Sequence, residues 1–126
     1  MRTLKTRLFC RWARTQELSD SALATAVAEM ETGLIDDRLG GNVVKKRVRL
    51  PGRGQRSGAR ALVAFKKGDR AIFVVGFAKN ERANISALEL KALKLLAEHL
   101  LELSPSKLAK AAEAGELIEI ELDNDG

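Results

Sequence analysis

The sequence has few of the residues that build metal centres or disulfide frameworks. Its 126 residues include one cysteine, Cys10, and one histidine, His99. A lone cysteine forms no intrachain disulfide, which suits a reducing compartment, and we expect a cytoplasmic protein. Zinc and iron sites use clustered cysteine and histidine ligands, so the sequence predicts neither such a site nor a cofactor. Asp36 and Asp37 leave a loop metal site open, without further support in the sequence.

Long apolar runs are also absent. No stretch approaches 18 consecutive apolar residues, so we expect no membrane-spanning helix. The first ten residues contain no uninterrupted apolar segment of the kind found in signal peptides. With 45% hydrophobic residues, a chain of this length fits one compact domain with a single core.

Acidic residues are missing from one long stretch. VVKKRVRLPGRGQRSGARALVAF, residues 43–65, contains none. Residues 45–82 carry 12 Lys and Arg against 2 acidic residues, a net charge of +10, whereas the rest carries 10 basic and 15 acidic residues, a net charge of −5. Such segregation indicates a basic face whose natural partner is a polyanion, nucleic acid above all. A solvated basic surface without a dedicated ligand is the alternative.

Local patterns place the helices. Ser19 or Asp20 caps a helix that ends at Gly33, after a short helical segment that begins near Cys10. Ser86 and Glu89 form a capping box at the start of a leucine-rich helix, for which the spacing predicts that Leu90, Leu93, Leu96, Ala97, Leu100 and Leu103 are buried. A shorter helix begins at Ser104-Pro105 and ends near Gly115.

Strands occupy the remaining apolar segments. Residues 3–9 alternate in polarity, 43–50 and 59–65 flank the glycine-rich turn, and 71–78 are apolar throughout, as in a central strand. Residues 34–42 are predicted to form a loop. This order predicts an α+β domain with an N-terminal strand and helical hairpin, an antiparallel sheet of three to four strands, and C-terminal helices.

The basic residues predict a phosphate-binding cluster. Residues two apart on a strand share a face, so Arg47 and Arg49 project together, and Arg60 on the next strand reaches the same side. Lys79 and Arg82 follow the central strand at the same end of the sheet. Guanidinium groups grip phosphates and would stabilise the charge that develops when an RNA 2′-hydroxyl attacks its own phosphate. Phosphate binding without chemistry fits the same spacing.

Further residues are predicted to contact RNA without taking part in chemistry. The hairpin turn between the second and third meander strands should steer and anchor RNA through Lys66, Lys67 and Arg70. The other members of this predicted binding set lie around the glycine-rich turn and after the central strand, and they are Lys45, Lys46, Arg53, Arg56 and Asn80.

The segment SGARALVAF, a hairpin, AIFVVGFAKNERANIS and a leucine-rich helix resemble the RelE/HigB-type toxins of the RelE/ParE superfamily, over roughly residues 5–101. The resemblance implies a metal-independent, ribosome-dependent mRNA endoribonuclease that inhibits translation. It also implies a cognate antitoxin, expected to be a helix-turn-helix protein. Carried over by motif, the family's basic residues fall on Arg47, Arg49, Arg60 and the run from Lys79 to Arg82. Residues 1–103 would form the toxin domain, with 104–126 a helical extension with an acidic tail.

The chain departs from the family pattern at three places. It has no tyrosine, where well-known members stack one on a base. Asn80 stands where an arginine is expected, and Ala59 stands where an aromatic residue is usual. Two alternatives therefore stay open: a catalytically weak RNA- or ribosome-binding relative, and a gyrase-poisoning toxin of the ParE type. The acidic tail is expected to pair at a sheet edge or stay mobile rather than cover the basic face.

Overall fold

The computed structural model describes residues 1–50, 58–78 and 85–120. Within these ranges the chain forms a six-stranded mixed sheet with helices on both faces, and the predicted α+β class is confirmed. The strands lie in the order β2-β3-β4-β5-β1-β6. The elements are β1 (Arg2–Thr6), α1 (Arg7–Thr15), α2 (Asp20–Glu31), β2 (Asp37–Gly40), β3 (Val43–Val48), β4 (Ala59–Lys66), β5 (Arg70–Ala78), α3 (Ala87–Glu102), α4 (Pro105–Glu113) and β6 (Leu117–Glu119).

The first strand is shorter than the sequence pattern predicts. It ends at Thr6, whose hydroxyl oxygen accepts a hydrogen bond from the Phe9 amide and caps α1. A side chain that satisfies an otherwise free amide favours a helix start over a continued strand. Leu8 therefore lies exposed on α1 instead of facing the core, whereas Phe9 is fully buried.

The sheet is wider than the predicted three to four strands and is not wholly antiparallel. Strands β3, β4 and β5 form the predicted antiparallel meander. Strand β1 pairs with β5 in parallel, and β6 pairs with β1 antiparallel. The predicted loop 34–42 contains β2, which forms a hairpin with β3 because Gly40, Gly41 and Asn42 supply three consecutive residues with positive φ.

Two apolar layers hold the helices against the sheet. On one face, Leu23, Ala26 and Met30 of α2 pack with α1 and with alternate residues of β3 and β4. The other face is covered by α3 and α4. In the first layer Trp12 packs directly over Gly76 of β5, where an added Cβ would stand 2.3 Å from the indole ring. Glycine is therefore required at this position of the central strand by close packing.

The predicted capping box at the start of α3 is present. The Ser86 hydroxyl accepts from the Glu89 amide, and the Glu89 carboxylate accepts from the Ser86 amide. The buried side of α3 is narrower than predicted: Ala97 and Leu100 are buried, as is Leu101, but Leu96 is 39% exposed. Leu96 instead lines an open cavity together with residues of α4 and β6. None of the helices in the described ranges has the length and apolarity needed to cross a membrane.

Candidate nucleic-acid interface

Arg47 and Arg60 lie directly opposite each other on β3 and β4. Opposed residues in an antiparallel pair project from the same face with their Cβ atoms about 5 Å apart. Arg47 is exposed, and the Arg60 side chain is 16% exposed. Two arginine side chains thus leave the same face of the sheet side by side, on two of its interior strands.

Asp36 joins this pair of arginines. Its Oδ1 accepts a hydrogen bond from the Arg47 backbone amide at 3.1 Å, and its Oδ2 lies 3.5 Å from Arg60 Nε. Among the described residues, Arg60 Nη1 is buried and has no hydrogen-bond partner. Arg60 is therefore held by one carboxylate and keeps donor capacity that no described protein group uses.

A cleft opens between α2 and the end of β3. It has a volume of about 480 Å³. Small α2 side chains form one wall, and charged residues of both signs stand opposite. The residues that line this α2–β3 cleft are Ala22, Thr25, Ala26, Glu29, Leu34, Asp36, Lys46, Arg47, Val48, Arg49 and Gly58. Arg47 and Arg49 are among these residues and Arg60 is not; by strand alternation the Arg47 side chain leaves the sheet on the face opposite α2, as does that of Arg60.

Lys46 does not lie on the surface predicted for it. Side chains alternate along a strand, so Lys46 points away from Lys45 and Arg47 and toward α2. Its side chain is only 4% exposed, and Nζ lies 2.8 Å from Glu29 Oε1. The ammonium group is used within the fold, where it ties β3 to α2. Lys45, opposite Leu62, is half-buried.

The three basic residues of the hairpin between β4 and β5 differ in their exposure to solvent. Lys66 and Lys67 are exposed, as predicted for residues that contact RNA. Arg70 is buried, and its Nη1 donates to the Leu100 carbonyl oxygen of α3 at 3.0 Å. Lys66 lies six residue steps along β4 from Arg60, a distance of about 20 Å. The two lysines therefore stand far from the arginine pair, and Arg70 belongs to the core.

The family of the chain follows from a comparison with protein-family models. Residues 1–120 match the family described as the RelE toxin of the RelE / RelB toxin-antitoxin system. The chain belongs to the RelE toxin family. No curated protein sequence matches the chain significantly. Membership makes the protein a toxin of a toxin–antitoxin module and implies a cognate antitoxin as its partner.

Several of the predicted site residues of this RelE-family toxin lie outside the described residues. They are Arg53, Arg56, Lys79, Asn80 and Arg82. The strands that lead to them do meet at one end of the sheet, because Ala78, at the end of β5, pairs with Ala59 beside Arg60.

Sequence reasoning missed Asp36 and Glu29 as partners of the basic residues. Asp36 was considered only with Asp37 as a loop metal site, yet its carboxylate contacts Arg60 and the Arg47 amide. Within the described part of the chain, no group of three or more His, Cys, Asp or Glu residues is arranged to hold a metal ion. The available signal was the acidic pair Asp36-Asp37, which lies across the turn Gly40-Gly41-Asn42 from the basic strand.

The described part of the acidic tail lies away from the arginines. Strand β6 pairs with β1, and residues up to Ile120 continue this contact through the Ile120 amide and the Thr3 carbonyl oxygen. In the sheet order, β6 is four strands from β3. At about 4.8 Å per strand, this separation is about 19 Å. The tail pairs at the opposite edge as far as residue 120, which agrees with edge pairing rather than cover of the basic face.

Proposed function

We propose that this RelE-family toxin is a metal-independent, ribosome-dependent mRNA endoribonuclease that inhibits translation. The observation that carries the proposal is the opposed pair Arg47 and Arg60 on two interior strands, projecting from the face of the sheet opposite α2. Two guanidinium groups that project from one face of the sheet, one of them held by Asp36, provide a site for an RNA phosphate. Membership in the RelE toxin family supports a toxic activity for this site.

The reaction would proceed within the RNA itself. The 2′-oxygen of a ribose attacks the adjacent phosphorus, a 2′,3′-cyclic phosphate forms, and the bond to the 5′-oxygen of the next nucleotide breaks. The 2′-hydroxyl loses its proton and the departing 5′-oxygen gains one. The phosphorus passes through a state with additional negative charge, which preorganised donors stabilise more strongly than they stabilise the ground state. Arg47 and Arg60 would supply these donors.

The remaining basic residues take different roles in this proposal. Arg49, which follows β3 and borders the cleft, joins the catalytic group with Lys79 and Arg82. Lys45, Arg53, Arg56 and Asn80 would contact the RNA near the site. Lys66 and Lys67 would contact phosphates about 20 Å away along the sheet. Lys46 and Arg70 take no part, because Glu29 and the Leu100 carbonyl oxygen engage their charged groups.

The proposed cellular setting follows from the family. The antitoxin would be a helix-turn-helix protein that carries an acidic or amphipathic segment for the basic face, since complementary charge favours such an encounter. Both proteins would act in the cytoplasm, where translating ribosomes present mRNA.

The proposal is tested with purified protein, ribosomes and a defined mRNA. We expect cleavage of the mRNA only when ribosomes are programmed with it, and we expect the same rate in the presence of EDTA once ribosomes are kept intact by a non-chelated polyamine. Naked mRNA is the control. Cleavage of naked mRNA at the same rate, or no cleavage in either case, would contradict the proposal.

RNA or ribosome binding without cleavage is the second candidate. The absence of tyrosine favours it, and so does the ion pair that already engages Arg60. The same assay separates the two functions, because a binding relative would sediment with programmed ribosomes and leave the message intact.

A further inference from the structure

Asp36 is fixed in place by the backbone on both sides. Its own amide donates to the Lys45 carbonyl oxygen at 3.0 Å, and its Oδ1 accepts from the Arg47 amide at 3.1 Å. These two bonds continue the β2–β3 pairing by one residue, with the carboxylate taking the place of a backbone carbonyl. The position of Oδ2 is therefore set by the sheet.

Oδ2 of Asp36 forms an ion pair with Arg60, in which it lies 3.5 Å from Arg60 Nε. Both side chains are largely withdrawn from water, with 28% of Asp36 and 16% of Arg60 exposed. Arginine carries a long side chain with large rotamer entropy, and a partly buried carboxylate restricts it to one direction. An acidic residue beside a phosphate site repels the substrate. We therefore expect Asp36 to contribute something at this site that offsets the repulsion.

We propose that Asp36 is a positioning residue that orients the Arg60 guanidinium for the RNA phosphate. This inference rests on the proposed function, because it names a residue that acts on the same site through Arg60. Asp36 contacts no RNA in this arrangement. Its negative charge weakens the electrostatic attraction for RNA, but it fixes the direction in which the Arg60 donors point toward the phosphorus.

Two consequences follow that a purely structural residue would not produce. The Asp36→Asn variant keeps an oxygen acceptor for the Arg47 amide but loses the charge that holds Arg60. RNA binding should stay equal or become tighter, because a repelling charge is removed. Cleavage by the preformed complex should slow by about 10- to 100-fold, because misplacement of a donor by about 1 Å costs this much.

Asp37 offers a matched control. It is adjacent in sequence and exposed on β2, and its substitution by Asn changes the net charge by the same amount. We expect Asp37→Asn to bind RNA equally or more tightly and to cleave at the wild-type rate. The comparison separates the loss of a negative charge from the loss of the Arg60 contact.

A double-mutant cycle tests whether Asp36 acts through Arg60. Single-turnover cleavage on programmed ribosomes is measured for wild type, Asp36→Asn, Arg60→Ala and the double variant. We expect Asp36→Asn to slow the wild type but to add no further loss to Arg60→Ala, since coupled residues are not additive. Equal slowing in both backgrounds, or none in the wild type, would overturn the inference.

A second readout is independent of cleavage. In ¹⁵N spectra of arginine side chains, the Arg60 Nε–H resonance is assigned by its loss in Arg60→Ala. It should shift in Asp36→Asn and stay unchanged in Asp37→Asn, with both variants folded by their backbone spectra. An unchanged Arg60 resonance in Asp36→Asn would refute positioning. If wild-type protein cleaves no mRNA but this resonance shifts, the proposed function fails while the Asp36–Arg60 contact stands as a means of orienting Arg60 for bound phosphate.

Discussion

The side chain of Arg70 donates a hydrogen bond from Nη1 to the carbonyl oxygen of Leu100, at 3.0 Å. This bond joins the first residue of β5 to the last turn of α3. A cation near a helix C-terminus also interacts favourably with the helix dipole. Arg70 is 8% exposed, so the contact is made in the core rather than on the basic face.

Arg70→Ala tests this structural role. We expect the free energy of unfolding to fall by about 1.5–3 kcal/mol, the cost of losing a hydrogen bond to a charged group. RNA affinity of the folded protein should not change. Chemical denaturation and filter binding measure the two quantities. The exposed Lys67→Ala in the same hairpin should behave in the opposite way, with normal stability and weaker RNA binding. If Arg70→Ala has normal stability but binds RNA more weakly, the structural role is wrong and Arg70 contacts RNA.

Lys46 and Glu29 form a second link between the sheet and a helix. Glu29→Gln should lower the free energy of unfolding by about 1–3 kcal/mol, because it leaves the buried Lys46 ammonium group without a countercharge. The loss stays at the lower end of what a buried ion pair costs, since the Glu29 carboxylate is partly exposed. The double variant Lys46→Met/Glu29→Gln should recover most of this loss, since it removes the buried charge. Thermal or chemical unfolding measures both.

Glu113→Gln is the matched control for this pair, because Glu113 is an exposed acidic residue of α4. It should leave the free energy of unfolding unchanged. If Glu29→Gln is as stable as Glu113→Gln, the Lys46 ammonium does not depend on Glu29 and the assigned contact is wrong.

Gly76 should tolerate no larger side chain while Trp12 is present. An alanine Cβ would stand 2.3 Å from the indole ring, so Gly76→Ala forces α1 or β5 to shift and should cost about 1–3 kcal/mol of unfolding free energy. In a Trp12→Leu background the added methyl group should cost less. An equal cost in both backgrounds, measured by denaturation, would show that backbone conformation rather than Trp12 requires glycine.

Most helices and the meander could be predicted because their signals are local. Ser19, Ser86 and Ser104 each accept a hydrogen bond from the backbone amide three residues later in the chain. A segment of four residues is therefore enough to predict each helix start. The strands β4 and β5 are apolar runs separated by a short turn. Strand β2 was missed because four largely exposed residues carry little periodicity, and only pairing with β3 makes them a strand.

The candidate site was predictable only in part. Strand spacing placed Arg60 near Arg47, and the register has them opposed. Whether a basic side chain faces solvent depends on partners distant in the chain: Lys46 meets Glu29 on α2, and Arg70 meets Leu100 on α3. The parallel pairing of β1 with β5 is likewise nonlocal. Composition and spacing carry no information about such contacts.

The most direct test of the central claim is the mapping of transcript 5′ ends after induced expression in bacteria. Wild-type protein should produce new 5′ ends confined to translated reading frames. Arg60→Ala should reduce their frequency by about 10²–10³-fold, the cost of losing one charge-stabilising donor. The exposed Arg11→Ala, on α1, should cut as the wild type does. Cuts by Arg60→Ala at the wild-type frequency and equal expression, or no new 5′ ends with the wild type, would contradict the account.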